Sequence, residues 1–237
     1  MIEAHNITFR YPATSFQLTI DELSIAPAEK LAIVGPSGSG KTTLLNLIAG
    51  ILTPSRGSIQ VGETKVTDLN DSDRRHFRNS NIGMVFQQFE LLEYLTVAEN
   101  VRLPFLINPA LKSLDANSAL PAKQLLDSVG LSDFANRYPA QLSRGEQQRV
   151  AICRALATEP KLILADEPTG NLDPANKRNI MNLLFAETER RNQTLIVVTH
   201  DQSLLNDFDR VIDFETFLKP ADLAQPADLA QPTTRPS

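Results

Sequence analysis

A glycine-rich stretch, GPSGSGKTT at residues 35–43, has the residue types and the spacing of a loop that binds phosphate. It matches the pattern G-x-x-x-x-G-K-[ST] and lies between a short apolar run and a segment with helical periodicity. Glycines let backbone N–H groups turn towards phosphate oxygens at a helix N-terminus, where the helix dipole also favours an anion. Lys41 is expected to reach the β- and γ-phosphates of a nucleotide, and Thr42 is expected to ligate Mg²⁺. The residues predicted to bind the nucleotide here are Gly35, Pro36, Ser37, Gly38, Ser39, Gly40, Lys41, Thr42 and Thr43.

Two adjacent acids follow a second apolar run, KLILADE at residues 161–167. Asp166 is expected to hold Mg²⁺, directly or through water, and Glu167 to orient or deprotonate the water that attacks the γ-phosphate. Two acids that only solvate a strand end are the alternative interpretation, which the phosphate-binding pattern upstream makes the weaker one. His200 ends a third apolar run, TLIVVTH, and is expected to contact the γ-phosphate from the far side. The predicted catalytic residues are therefore Glu167, His200 and Lys41, with Lys41 and Mg²⁺ neutralising charge.

The stretch QLSRGEQQRV, residues 141–150, predicts a helix start, because Ser143 is followed three residues later by Glu146 in the spacing of a capping box. Gly145 lies in the first turn, where a glycine costs about 1 kcal/mol relative to alanine. A hydroxyl, exposed N–H groups and a glycine together suit a second phosphate contact. One chain's phosphate loop already binds the phosphates of one nucleotide, so a second phosphate contact in the same chain would be redundant. Two copies of the chain arranged head to tail would explain the second, although residue types alone do not prove that arrangement.

The elements that must position these residues are predicted from the apolar pattern. The three runs that precede the polar residues are continuous and separated by helical segments, as in a parallel sheet buried on both faces. The first 25 or so residues alternate and predict antiparallel strands. Residues 88–158 have a helical pattern interrupted by prolines. The predicted fold class is α/β: a RecA-like P-loop NTPase core, an N-terminal antiparallel β subdomain and an inserted α-helical subdomain.

A single domain is predicted over residues 1–219. The end of the chain repeats ADLAQP directly, at 221–226 and 227–232, and offers little apolar surface to bury. Residues 220–237 are therefore predicted to form a disordered tail.

Composition narrows the class of protein. Of the 237 residues, 42% are hydrophobic, which is enough for a core, and the net charge is −5. An isoelectric point near 5.3 argues against a nucleic-acid partner. The one cysteine, Cys153, allows no intramolecular disulfide, the first ten residues lack the basic start and apolar core typical of a signal peptide, and no apolar run approaches membrane-spanning length. We expect a soluble, cytosolic protein with no membrane span of its own.

The motifs in their order, GPSGSGKT, FQQ, LSRGE, LILADE, NLD and VVTH, resemble the full motif set of ATP-binding cassette (ABC) proteins up to about residue 213. The resemblance implies that two cassettes form a homodimer around two ATP molecules, with Ser143 and Gly145 of each capping the γ-phosphate held by the other. It implies that Gln87 senses Mg²⁺ and the membrane partner, and that Asp173 lies across the dimer interface. It also implies that Tyr11 stacks on adenine, the alternative being an ordinary strand aromatic.

Two longer segments, FQQFELLEYLTVAENVRLP and RYPAQLSRGEQQRVAICRAL, are similar to the lipoprotein-release, macrolide-export and FtsE-like cassettes. This implies an ATPase that energises a separate integral membrane permease from the cytoplasmic face of the inner or plasma membrane. An FtsE-like ATPase that regulates envelope processes without transport is the alternative. A soluble DNA-repair or translation ABC protein is disfavoured, because the chain shows neither a long coiled coil nor a second cassette.

Four features depart from the family pattern. Arg144 and Glu146 stand where glycine and glutamine are usual, and Ala28 stands where a turn glycine is frequent. The end DRVIDFETFL lacks the usual closing hairpin with its glycine. The departures leave the catalytic motifs untouched and put the C-terminal edge of the domain in question.

Overall fold

The computed structural model describes residues 1–12, 16–108, 111 and 122–217, with only the backbone of Ala175. The predicted tail at residues 220–237 and the predicted domain end at 219 lie outside the described residues.

The N-terminal residues form part of an antiparallel sheet, as predicted. Its strands run in the order β2-β1-β4-β5 and comprise β1 (Ile2–Arg10), β2 (Gln17–Ile25), β4 (Arg56–Val61) and β5 (Thr64–Lys65). Ile2 pairs with Ile25 and Ile7 with Ile20. The alternation of buried residues in β1 shifts between His5 and Thr8, where the pairing with β4 is irregular.

A second sheet has five parallel strands in the order β6-β7-β8-β3-β9. They are β3 (Lys30–Val34), β6 (Ile82–Val85), β7 (Leu162–Asp166), β8 (Thr194–Val198) and β9 (Arg210–Asp213). Every residue of β8 is buried, as expected for a strand covered on both faces. The three strands that precede the predicted phosphate and catalytic residues, β7, β8 and β3, are neighbours, so their carboxyl ends meet at one edge of the sheet.

Six helices complete the described part of the chain: α1 (Lys41–Ile48), α2 (Asp71–Asn81), α3 (Val97–Ile107), α4 (Ala122–Ser128), α5 (Arg144–Leu156) and α6 (Pro174–Arg190). Short 3₁₀ turns lie at Val66–Asp68, Ser132–Phe134, Pro139–Gln141, Gln202–Asp207 and Phe214–Phe217. Helices α3, α4 and α5 all fall between β6 and β7 in the chain, within the segment where the sequence predicts a helical insertion.

The parallel sheet separates two hydrophobic cores. Along β8, Leu195 and Val197 face the core built with α3 to α6, whereas Ile196 and Val198 face the core shared with the antiparallel sheet and α1. Because both faces of the sheet are covered, β3, β7 and β8 each contain four consecutive apolar residues. Packing against both faces of the parallel sheet therefore fixes the position of the edge that carries the polar residues.

Ala28 has a structural explanation. It lies in the turn between β2 and β3 with φ +58°, a left-handed conformation that glycine adopts more easily. Its N–H donates to Oγ1 of Thr194 at 2.9 Å, which ties the turn to the start of β8.

Candidate functional site

The phosphate loop, residues 35–43, connects β3 to α1 through glycines that the backbone requires. Gly40 has φ +107°, and a Cβ there would lie 2.6 Å from Cζ of Phe16. Gly38 has φ +78° with no atom within 4 Å of a built Cβ, so only its conformation demands glycine. Gly40 is the N-cap of α1 and supplies no side-chain cap to the first N–H groups of that helix. Uncapped N–H groups at a helix start can donate hydrogen bonds to an anion.

Lys41 is the charged residue at the centre of this loop. Lys41 is 6% exposed, and its Nζ donates to the carbonyl oxygens of Gly35 at 2.8 Å and Pro36 at 2.6 Å. Burial lowers the pKa of the Lys41 ammonium, while the nearby carboxylates of Glu167 and Asp166 act in the opposite direction. The loop therefore curls around a positive charge that is placed to meet phosphate oxygens.

Thr42 and Asp166 meet although 124 positions separate them in the chain. Oγ1 of Thr42 donates to Oδ2 of Asp166 at 2.8 Å. Burial raises the pKa of Asp166, and the hydrogen bond from Thr42 and the charge of Lys41 oppose that shift. A hydroxyl and a carboxylate side by side are hard oxygen donors of the kind that Mg²⁺ takes together with substrate phosphates.

Glu167 and His200 form a second close pair beside the first. Nδ1 of His200 lies 2.5 Å from Oε2 of Glu167. Glu167 has the left-handed φ of +48°, and its N–H donates to the carbonyl of Val198 at 2.9 Å. A non-glycine residue in this conformation is strained and is held there by its surroundings. The strand ends thus present one carboxylate beside Thr42 and the next one beside an imidazole.

Gln87 follows β6 and is exposed. Its carbonyl oxygen accepts from Nδ2 of Asn171 at 2.7 Å. A Cβ built on Gly170 would lie 3.1 Å from Nε2 of Gln87 and 3.5 Å from Oε2 of Glu167, so these two side chains flank Gly170. The structure therefore brings Gln87 to the edge that carries the acids.

Tyr11 lies beside the phosphate loop, with its hydroxyl 3.2 Å from Oγ1 of Thr43. Its ring packs edge-on against Phe9, with centroids 4.8 Å apart, and lies 5.9 Å from the ring of Phe16. Phe16, which also contacts Gly40, was not among the residues predicted from the sequence. An aromatic residue at the start of an alternating strand gives no signal that separates it from a core residue.

The predicted capping box at α5 is confirmed. Oε2 of Glu146 accepts from the N–H of Ser143 at 2.7 Å, and the N–H of Glu146 donates to Oγ of Ser143 at 3.4 Å. Asp173 caps α6 in a similar way, and its Oδ2 accepts from Nδ2 of Asn176 at 2.6 Å. A Cβ on Gly145 would lie 3.3 Å from Oδ1 of Asn176. Gly145 therefore also serves packing within the chain, where α5 begins against α6, a role the sequence did not indicate.

The start of α5 is separate from the phosphate loop of its own chain. Among the described residues, neither Ser143 nor Gly145 makes a hydrogen bond to residues 35–43. Ser143 is exposed, as are Arg144 and Asp173. The structure thus unites Lys41, Thr42, Asp166, Glu167 and His200, with Gln87 beside them, whereas the start of α5 makes none of these contacts and carries an exposed Ser143 beside a buried Gly145.

The glycine loop encloses a buried lysine between β3 and α1, and a hydroxyl–carboxylate pair lies at the end of β7. This arrangement defines a P-loop protein that binds a nucleoside triphosphate. The family model described as ABC transporter matches residues 18–170. The chain belongs to the ABC transporter family. It is an ATP-binding protein that hydrolyses ATP to ADP and phosphate, coupled to transport.

Individual relatives agree with this assignment. The lipoprotein-releasing system ATP-binding protein LolD of Treponema denticola is 44% identical over 201 residues, which cover 84% of this chain and 88% of the relative. An uncharacterised ABC transporter ATP-binding protein of Methanocaldococcus jannaschii, MJ1508, is 43% identical and covers 90% of this chain and 94% of its own length. The dimeric post-hydrolysis structure of the cassette MJ0796 bound to ADP and Pi superposes with a TM-score of 0.76 at 38% identity, covering 90% of this chain and 94% of that one.

In the part of the chain that the structure describes, no helix combines the length and the apolar character needed to cross a membrane.

Proposed function

We propose that the chain is the ATPase subunit that energises a separate integral membrane permease, for the release or export of lipoprotein or other envelope-type substrates. The observation that carries the ATPase assignment is the convergence of Lys41, the Thr42–Asp166 pair and the Glu167–His200 pair at one sheet edge. The transported class rests on the similarity to relatives named as lipoprotein-releasing. Through its permease, the chain would act at the cytoplasmic face of the inner or plasma membrane.

In this proposal the phosphate loop and Lys41 bind the β- and γ-phosphates, and Glu167 orients or deprotonates the attacking water. His200, 2.5 Å from Glu167, holds that carboxylate in place and contacts the γ-phosphate from the far side. Preorganised donors around the phosphates act most strongly where charge develops as water attacks. The Lys41 ammonium would supply such a charge, and the backbone carbonyls of Gly35 and Pro36 hold it at the loop.

The residues fit Mg²⁺. Thr42 and Asp166 present two oxygens 2.8 Å apart, and the side-chain oxygen of Gln87 is a third candidate. Bound there with the nucleotide, Mg²⁺ would neutralise charge on the β- and γ-phosphate oxygens. These three residues are the proposed ligands, together with water and phosphate oxygens.

The start of α5 is the proposed contact to a second copy. Ser143 and Gly145 would cap the γ-phosphate bound by the partner's phosphate loop, and Asp173 would lie across the same interface. Two observations support this: Ser143 is exposed and, in the described part of the chain, makes no hydrogen bond to residues 35–43, and the related cassette MJ0796 has been solved as a dimer. Tyr11 is the proposed stacking surface for adenine, because its ring lies beside Thr43 at the end of the phosphate loop.

The substitution Glu167→Gln tests the catalytic assignment. We expect ATP binding to persist, because Lys41 and the loop amides remain, while kcat falls by about 10²–10⁴-fold, the usual contribution of a general base. An ATP-dependent dimer should accumulate and be visible by light scattering. Glu159→Gln is the matched control, since Glu159 is an exposed glutamate with a similar left-handed φ of +49°. Wild-type turnover in Glu167→Gln would show that the base has been misassigned.

The transport part needs a separate experiment. The chain is co-expressed with membrane proteins encoded by neighbouring genes, and the purified complex is placed in proteoliposomes that contain a lipidated protein. ATP-dependent release of that protein is the expected result. ATP turnover stimulated by the membrane partner without any release would instead support the regulatory, FtsE-like alternative.

A further inference from the structure

The loop that carries Gln87, residues 86–90, has an unusual backbone. Phe89 and Glu90 are consecutive non-glycine residues with left-handed φ values of +62° and +50°. This conformation is unfavourable for each residue with a Cβ. Two strained residues in a row persist only where the surrounding structure holds them.

Arg154, in the last turn of α5, supplies that support. It is 9% exposed, and its Nη2 donates to the carbonyl oxygen of Phe89 at 2.6 Å while Nη1 donates to the carbonyl of Glu90. One planar guanidinium thus binds the carbonyls of both left-handed residues, a geometry that a lysine ammonium does not reproduce. Burial lowers the pKa of the Arg154 guanidinium, and the carboxylate of Glu90 partly offsets this.

A second contact anchors the same loop from another segment of the chain. Nδ2 of Asn171 donates to the carbonyl of Gln87 at 2.7 Å. The loop is therefore held between α5 and the segment that follows Glu167, and these contacts set where the Gln87 amide lies beside Gly170. Without Arg154, two carbonyls lose their buried donor and the left-handed residues lose the interaction that offsets their strain.

We infer that Arg154 is a positioning residue for ATP hydrolysis, which acts by holding the Gln87 loop in the conformation that brings the Gln87 amide to the catalytic edge. The inference rests on the proposed role of Gln87. Arg154 itself touches neither nucleotide nor water in this account. Its effect passes through the carbonyls of Phe89 and Glu90 to Gln87, two positions before Phe89.

A double-mutant cycle on the full chain tests the inference, using Arg154→Met, Gln87→Ala and the two combined. We expect each single variant to lower kcat about tenfold, because displaced groups forfeit much of their contribution to catalysis. The combined variant should also lose about tenfold rather than about a hundredfold, since Arg154 has nothing left to position. The KM for ATP should change less than about threefold, because the phosphate loop is intact.

Two outcomes would overturn the inference, one through Arg154 and one through Gln87. A hundredfold loss in the combined variant means that Arg154 acts independently of Gln87. An unchanged kcat in Gln87→Ala removes Gln87 from the proposed site, and the inference falls with it. If Gln87→Ala lowers kcat and the losses of the two single variants multiply in the combined variant, the positioning role of Arg154 is refuted while the role of Gln87 stands.

A control must separate the general effect of losing a buried arginine from the specific effect of displacing the Gln87 loop. Arg191→Met is the matched control, because the Arg191 side chain is 10% exposed and pairs with Glu187 at 2.9 Å on α6. It should lower the melting temperature and leave kcat unchanged in both the wild-type and Gln87→Ala backgrounds. If Arg154→Met does not fold, the same cycle is measured with Arg154→Lys, whose smaller loss of kcat should again vanish when Gln87 is absent. An additive loss there also refutes the inference.

Discussion

Gly83 in β6 is a position where a single added methyl group should be strongly destabilising. A Cβ built on Gly83 lies 2.2 Å from the carbonyl oxygen of Ala155 and 2.6 Å from Cδ1 of Ile163. The first neighbour is the backbone of α5, which cannot rotate aside as a side chain can. Restoring van der Waals spacing requires the strand and the helix to separate by about 1 Å. Overpacking of this kind costs about 3 kcal/mol.

That free energy converts to a melting temperature that can be measured. For a chain of this size each kcal/mol lowers the melting temperature by about 2–4 °C, so Gly83→Ala should melt about 6–12 °C below the wild type. Thermal unfolding is followed by circular dichroism without nucleotide, because a ligand that binds the folded state would raise the transition.

Gly62→Ala is the control for the cost of replacing a glycine. Gly62 has φ +62° and no atom within 4 Å of a built Cβ, so only the left-handed conformation is penalised. A loss of about 1 kcal/mol is expected there. If Gly83→Ala melts no lower than Gly62→Ala, the close packing of β6 on α5 is not the constraint described above.

Four further substitutions test the phosphate loop, the start of α5 and the β2–β3 turn. Lys41→Ala should weaken ATP binding at least tenfold in a calorimetric titration, because a charged partner of the phosphates is lost; unchanged affinity would remove Lys41 from the site. Gly145→Asp should bind ATP but neither dimerise nor hydrolyse it, since a carboxylate and a Cβ would enter a close phosphate contact. Arg144→Gly should retain most activity, and a dead Arg144→Gly beside an active Gly145→Asp would reverse this assignment. Ala28→Gly should raise the melting temperature by about 2–4 °C, because φ is +58° there and glycine relieves about 1 kcal/mol of strain; a lower value would contradict it.

Much of the fold could be predicted because its signals are local. The runs that became β3, β7 and β8 each contain four consecutive apolar residues, and the N-terminal strands alternate. Strands β6 and β9 were not predicted. β6 has four residues and contains a glycine, and three of the four residues of β9 are exposed, so neither shows a hydrophobic pattern of useful length.

The candidate site divides in the same way. The phosphate loop and the capping box at Ser143 depend on neighbours within a few residues, and spacing reveals both. The contact between Gly145 and Asn176 could not be predicted, because it depends on how α5 packs against α6. The spacing of residues within either segment does not predict that contact.

By itself, the amino-acid sequence determined the glycine-rich loop, the helix caps and the apolar strands that end in polar residues, because backbone conformation and periodicity depend on adjacent residues. The tertiary structure alone decided the strand order β6-β7-β8-β3-β9, which is not the order of the chain. That order brings Thr42 to Asp166, and the packing of α5 brings Arg154 to Phe89 and Glu90. Such contacts join segments far apart in the chain, and their geometry follows from the burial of two shared cores rather than from any local pattern.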